Sequence, residues 1–333
     1  MTKRERALCA LRHEQPDYAP HNIGLTQQAA ERLALLEPNY EAMLHNHFDS
    51  VYYDGFLTEV SPGFWRDDFG VLWNRTGADK DIGMIEGAQL PEPTLAGYRF
   101  PVLDEARLRA GYEAMLARDD GTVKLGMIGF TLYERAWTLR GMEDFLADMI
   151  MEPAFADELL DAITDYNMRV IRLGLEYDID GFYFGDDWGQ QKGLIMGPSL
   201  WRRFIKPHLG RMYAEVKKAG RFVAQHSCGD IQELFPDLID MGLDVYQTFQ
   251  PEIYDMRAVK REFGRDLSFW GGISTQRLLP YATPSEVRRV TRETIAVMGE
   301  NGGYIAAPTH AVPGDVPAEN ILAMLEVFRE NEK

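Results

Sequence analysis

The chain has 333 residues, 45% hydrophobic and 26% charged, enough to build a core of ordinary size within one large domain. A net charge of −17 repels phosphate backbones and argues against nucleic acid as a partner. No apolar run approaches the roughly 20 residues that span a bilayer, and Met1-Thr-Lys-Arg-Glu-Arg6 leads into an amphipathic helical pattern, so a cytoplasmic protein without membrane contact is expected.

Eight short runs rich in Val, Ile, Tyr and Phe read as strands, each followed by a Gly, Asp or polar cluster. In chain order they are Pro20–Leu25, Ser50–Asp54, Val123–Phe130, Gly181–Gly185, Phe222–His226, Val245–Phe249, Leu267–Gly271 and Tyr304–Pro308. Most intervals after the third carry apolar residues at three- and four-residue steps, as in Pro198-Ser-Leu-Trp-Arg-Arg-Phe204 running on to Gly220. Thr283-Pro-Ser-Glu286 reads as a cap, a helix-start proline and a first-turn acid. Strand and helix alternating eight times predict an α/β protein, a (β/α)8 TIM barrel filling residues 1–333 as a single domain. Residues 56–121 break the rhythm with Trp65, Trp73 and Pro91-Glu-Pro93, and are expected to be an insertion after strand two that covers one barrel face.

In such a barrel the chemistry gathers where strands end, and those positions are polar here. Strand two ends at Asp54, strand three at Thr131-Leu-Tyr-Glu134-Arg135 and strand four at Asp186-Asp187-Trp188. Strand five ends at His226-Ser-Cys228, strand six at Gln247-Thr-Phe-Gln250 and strand eight at Thr309-His310. The pair His226 and Cys228 is the sharpest signal. In an extended strand the side-chain period is two, so a thiolate and an imidazole two residues apart point the same way. Two cysteines, Cys9 and Cys228, are too few for a disulfide scaffold, which leaves Cys228 free for metal or chemistry. Catalytic zinc takes three protein donors and keeps one position open. His310, delivered to the same rim, is the expected third donor. The alternative is a structural His beside a buried Cys.

Four stretches carry a resemblance: Gly185-Asp-Asp-Trp-Gly-Gln-Gln-Lys-Gly-Leu194, Trp201-Arg-Arg-Phe-Ile-Lys-Pro207, Gln225-His-Ser-Cys-Gly229, and Gly302-Gly-Tyr-Ile-Ala-Ala-Pro-Thr-His310 with Pro317-Ala-Glu-Asn-Ile321. On these the chain resembles the uroporphyrinogen decarboxylase superfamily over nearly its whole length, and within it the zinc- and corrinoid-linked methyltransferase branch. The resemblance implies a TIM barrel and zinc on a His-x-Cys pair plus a distant Cys. It also implies methyl transfer between a partner corrinoid (cobalamin-type) protein and a small methyl donor or acceptor, such as coenzyme M, tetrahydrofolate or a methoxy compound. His226 and Cys228 match the first two ligands, and His310 stands where the family's second thiolate is expected. The runner-up is a metal-free decarboxylase of the uroporphyrinogen type, relying on Asp54 or Asp187. It is weakened because His21-Asn-Ile-Gly-Leu-Thr-Gln-Gln28 replaces that enzyme's arginine-rich signature.

The remaining rim residues have two readings each. Glu134 serves as a general acid or further ligand, or as an ion-pair partner of Arg135 or Arg140. Asp186 and Asp187 hold substrate or orient a ligand histidine, or form a capped turn. Trp188 faces substrate, or belongs to a small local core. Gln250 is expected to touch substrate.

Overall fold

The apolar runs become a single parallel sheet because they are buried on both faces, as continuous Val/Ile/Phe-rich strands require. The computed structural model describes residues 1–77, 81–330 and 332. Among these, β1 (Phe48–Tyr53) is followed by four short strands: β2 (Thr58–Ser61), β3 (Phe64–Arg66), β4 (Leu72–Asn74) and β5 (Met84–Ile85). Next come β6 (Val123–Phe130), β7 (Gly181–Gly185), β8 (Phe222–His226), β9 (Val245–Phe249), β10 (Ser268–Ile273) and β11 (Tyr304–Pro308). The parallel sheet has seven strands in the order β1-β6-β7-β8-β9-β10-β11, a TIM-like α/β arrangement. Every residue of β7, β9, β10 and β11 is buried. The expected helix start at Thr283 forms as read: its hydroxyl accepts from Glu286 N at 3.3 Å, and Pro284 opens the helix Pro284–Met298.

Seven strands stand where eight were expected. Residues 20–25 make only isolated bridges, His21 to Ala306 and Leu25 to Val312. The segment still lies between the two sheet edges: Asn22 N donates to Ala306 O at 3.1 Å and His47 N donates to His21 O at 3.1 Å. Its ladder to β1 is replaced by side-chain amides. Ile23 N donates to Asn46 Oδ1 at 2.9 Å, Asn46 Nδ2 donates to Ile23 O at 3.0 Å, and Phe48 N donates to Asn22 Oδ1 at 3.4 Å. Pro20, lacking an N–H, contributes only its carbonyl, which accepts from Ala306 N at 2.8 Å.

The expected insertion 56–121 divides in two. Strands β2, β3, β4 and β5 form a four-stranded antiparallel sheet in that order. The later helix, Glu105–Ala117, instead packs back against β1 and is the crossover between β1 and β6. The small sheet is tied to the parallel one by charge. Arg135, 2% exposed, reaches Asp67 and Asp54 at 2.8 Å each, and Trp73 Nε1 donates to the same Asp67.

Inward-facing residues of the parallel strands (Phe48, Leu125, Tyr183, Val245, Trp270, Ile305) pack as one cluster with Ala7 of the N-terminal helix Lys3–Leu11. The outward faces pack on the surrounding helices in a much larger cluster. This leaves the C-terminal strand ends free to shape a cavity. No helix among the described residues is long and apolar enough to cross a membrane.

Candidate metal centre and cavity

Three donors meet at the C-terminal ends of β8 and β11. One ligand atom from each of His226, Cys228 and His310 lies within 4.8 Å of the other two. Cys228 Sγ stands 3.7 Å from His226 Nε2, and the two imidazole rings are 5.6 Å apart at 72°. His226 is the last residue of β8, and Cys228 follows on the loop. That loop is drawn tightly over its neighbour. Gly229 has φ +80°, and a Cβ there would fall 2.1 Å from Gly189 C; a Cβ on Gly189 would fall 2.7 Å from Cys228 O. Two glycines back to back let the sulfur reach the rim.

The surroundings of His226 orient it. Its Nδ1 hydrogen-bonds Gln247 Oε1, which also accepts from Tyr183 OH at 2.7 Å. Its Nε2 faces Asp187 Oδ1 at 3.2 Å, and the same oxygen accepts from Cys228 N at 2.7 Å. Burial alone would lower the His226 pKa, but Tyr183, Cys228 and Asp187 outweigh it and hold it well above the usual histidine value. Burial pushes Asp187 up, yet its bonds to His226 and to Cys228 N–H bring it down to about 2. His310 is shifted the other way, lowered by burial and by the charge of His226.

The donors open onto a cavity of about 630 Å³. Phe48, Leu125, Tyr183 and Trp270 form its floor; Phe56, Leu57 and Trp73 come from around the small sheet. Trp73 stacks on Phe130 with centroids 5.5 Å apart and planes within 5°. Asp54, Glu134 and Asp187 reach the same space as His226 and His310. Asp54 is held by Arg135, by Phe130 N at 3.1 Å and by Tyr52 OH at 3.1 Å, and burial still pushes its pKa up to about 6. Burial, and then the negative charges of Asp187 and Asp186, raise Glu134 well above the usual carboxylate value, which favours its protonated form.

Three residues expected at the substrate lie elsewhere. Asp186 is fully buried and turned away from the cavity. Its carboxylate accepts from the N–H groups of Leu132, Tyr133 and Glu134 at 2.8–3.3 Å and from Trp188 Nε1 at 2.7 Å. It therefore caps the helix Tyr133–Arg140, whose own N-cap residue, Leu132, offers no side-chain bond. Trp188 is fully buried edge-on to Trp201. Gln250 Oε1 accepts from Gly229 N at 2.9 Å and props the Cys228 loop. Tyr183 and Gln247 line the cavity and flank His226, yet neither was assigned a role from the sequence, where Gln247 stood only within the polar end of strand six. The available signal was a glutamine and a tyrosine inside otherwise apolar runs.

A parallel α/β sheet here carries one thiol and two imidazoles on its C-terminal rim, a candidate metal-ligand trio beside a cavity. The model of the uroporphyrinogen decarboxylase (URO-D) family matches residues 127–331, and the chain belongs to that family. It is 24% identical over 357 residues to a methylated-thiol–coenzyme M methyltransferase of Methanosarcina mazei, covering 99% of this chain and 90% of that one. It is 24% identical over 182 residues to a uroporphyrinogen decarboxylase of Thermus thermophilus, covering 55% of this chain and 50% of the other. A solved methyltransferase from Methanosarcina mazei superposes with a TM-score of 0.73 at 18% identity, each chain fully covered, which establishes the shared fold.

Proposed function

We propose that this chain is a zinc-dependent methyltransferase of a corrinoid system. It moves a methyl group between a cytoplasmic corrinoid protein and a small donor or acceptor: a thiol, tetrahydrofolate or a methoxy compound. The convergence of His226, Cys228 and His310 carries the reading, and the full-length similarity to a methylated-thiol–coenzyme M methyltransferase supports it. One thiolate and two imidazoles are donors of the kinds zinc takes. Bonds of about 2.3 Å to sulfur and about 2.05 Å to nitrogen at tetrahedral angles give a sulfur–nitrogen edge of about 3.6 Å, close to the 3.7 Å between Cys228 Sγ and His226 Nε2. A metal bound there would supply Lewis acidity at the heteroatom that loses or accepts the methyl group.

The chain's own residues do the rest. Glu134, whose protonated form is favoured in the cavity wall, can give a proton to a departing heteroatom. Asp187 stays anionic and fixes the Cys228 loop through its backbone N–H. Trp73, Phe130 and Trp270 offer apolar faces to the body of the substrate and keep water away from it. Asp54 with Tyr52 provides a polar edge. In this reading residues 20–25 act as the eighth strand of a (β/α)8 barrel and the small sheet acts as its cover.

The decarboxylase alternative has less support. Its substrate carries eight carboxylates, whereas Asp54, Asp81, Glu134 and Asp187 line this cavity and Arg75 is the sole guanidinium among its described lining residues. Metal analysis of the purified protein tests the proposal: about one zinc per chain is expected, falling to none in His226→Ala/Cys228→Ser. Equal zinc in both proteins would sink it.

A further inference from the structure

Histidine can hold a metal through Nε2 only if the ring's single proton sits on Nδ1. His226 is flanked by acceptors at both nitrogens, Gln247 Oε1 at Nδ1 and Asp187 Oδ1 at Nε2. The two compete for the proton of the neutral ring. We infer that Gln247 is the positioning residue that decides this competition, with Tyr183 as its anchor. The Gln247 oxygen holds the proton on Nδ1 and so leaves the Nε2 lone pair facing Cys228 Sγ.

The fold builds this arrangement across three neighbouring strands. Tyr183 lies on β7, His226 on β8 and Gln247 on β9, and His226 is in register with Gln247. Tyr183 is 7% exposed and donates its hydroxyl proton to Gln247 Oε1 at 2.7 Å. A tyrosine hydroxyl is a donor at neutral pH, so it selects the carbonyl face of the amide. With the oxygen fixed toward both partners, the Nδ1 proton has an acceptor that cannot rotate away. Gln247 is itself 9% exposed, so water does not readily replace it. An uncharged amide also adds no negative charge beside the ring. A carboxylate in the same place would draw the ring toward imidazolate and reduce the positive charge at the metal position.

The inference rests on the proposed metal centre for its purpose but not for its test. Nitrogen NMR of the metal-free protein, at a pH where His226 is neutral, reports its tautomer directly. The wild type is expected to show Nδ1–H. Gln247→Leu is expected to move the proton to Nε2, where Asp187 accepts it, and Gln247→Glu to restore Nδ1–H. Zinc(II) affinity, measured by chelator competition, is expected to fall 10- to 100-fold in Gln247→Leu. It is expected to fall several-fold in Tyr183→Phe, which keeps the ring and loses only the hydroxyl, and to stay within about threefold in Gln247→Glu. An unchanged tautomer in Gln247→Leu overturns the inference, as does zinc affinity equal to wild type in both Gln247→Leu and Tyr183→Phe. If the wild type binds no zinc, the proposed function falls while the tautomer experiment still decides the role of Gln247.

Discussion

The molecule holds two pairs of histidines, and they live in opposite circumstances. His226 and His310 stand 5.6 Å apart at the C-terminal strand ends, beside a thiol and a cavity. His21 and His47 stand 4.6 Å apart at the start of β1, in the seam that brings residues 20–25 against the sheet. The second pair is sealed. Arg6 Nη1 donates to His47 Nε2 at 3.2 Å, so His47 Nδ1 carries the proton and gives it to His21 O at 3.1 Å. His21 Nε2 contacts Leu44 O at 3.1 Å, and its ring stacks on Phe328. Similar pairs of rings thus have opposite freedoms. At the rim Nε2 of His226 has the sulfur of Cys228 beside it, whereas in the seam a guanidinium already occupies His47 Nε2. What a histidine can do here is decided by what is aimed at its nitrogens.

Swapping the pairs gives the largest contrast. Replacing His310 by Ala should lower zinc affinity by at least about 100-fold, a donor being worth more than the 10- to 100-fold of an outer partner. Replacing His21 by Ala should leave zinc affinity within about twofold. Chelator competition on the two variants checks both, and equal losses would erase the distinction.

Acid should break the seam before it breaks the rim's backbone. Burial, then mutual and Arg6 repulsion, lowers His47 to about 2, and burial lowers His21 to about 4. Above the unfolded value of about 6.5 neither state binds these protons and their stabilising effect is fully present. Below it the unfolded chain binds protons that the folded one refuses, so stability falls with pH by about 1.4 kcal/mol per unit for each group. Urea titrations between pH 7 and 5 should show this slope, reduced by about one proton in His47→Gln. A slope unchanged by that substitution would place the acid sensitivity elsewhere.

A smaller effect separates two adjacent carboxylates. Asp186→Ala should cost about 3 kcal/mol of stability, because three helix N–H groups and one indole lose a charged acceptor. Its zinc affinity should stay close to that of the wild type. The smallest expected change is Trp188→Phe, about 1 kcal/mol for the single indole bond to Asp186. Denaturant midpoints measure both, and an Asp186→Ala protein of unchanged midpoint would contradict the capping role.

Much of this was legible because strand periodicity and strand ends are local properties. Seven of the eight expected runs coincide with strands to within a few residues, and the rim residues His226, Cys228 and His310 follow from where those runs stop. Pro20–Leu25 failed as a strand because its pairing runs through the side chains of Asn22 and Asn46, which no alternation of apolar residues encodes. Asp186, Trp188 and Gln250 sit at strand ends, yet their side chains turn outward to helix and loop backbone. Direction at a loop's first residue depends on what packs behind it, and that is a tertiary fact. Gln247 and Tyr183 became visible only when register placed them beside His226.

The seam has a consequence in time. Thr26 donates its hydroxyl to Val312 O across a sequence separation of 286 residues, and Val312 N returns a bond to Gly24 O at 2.8 Å. Those bonds brace the same loop that carries His310. While the chain is being synthesised, residues 20–26 have only the β1 side to rest on until β11 has emerged, and closing so long a loop is a late and slow event. The sheet's closure and the arrival of the third donor therefore happen together. A nascent or truncated chain lacking its last strand would present His226 and Cys228 as an incomplete pair, unable to hold a metal in the final geometry.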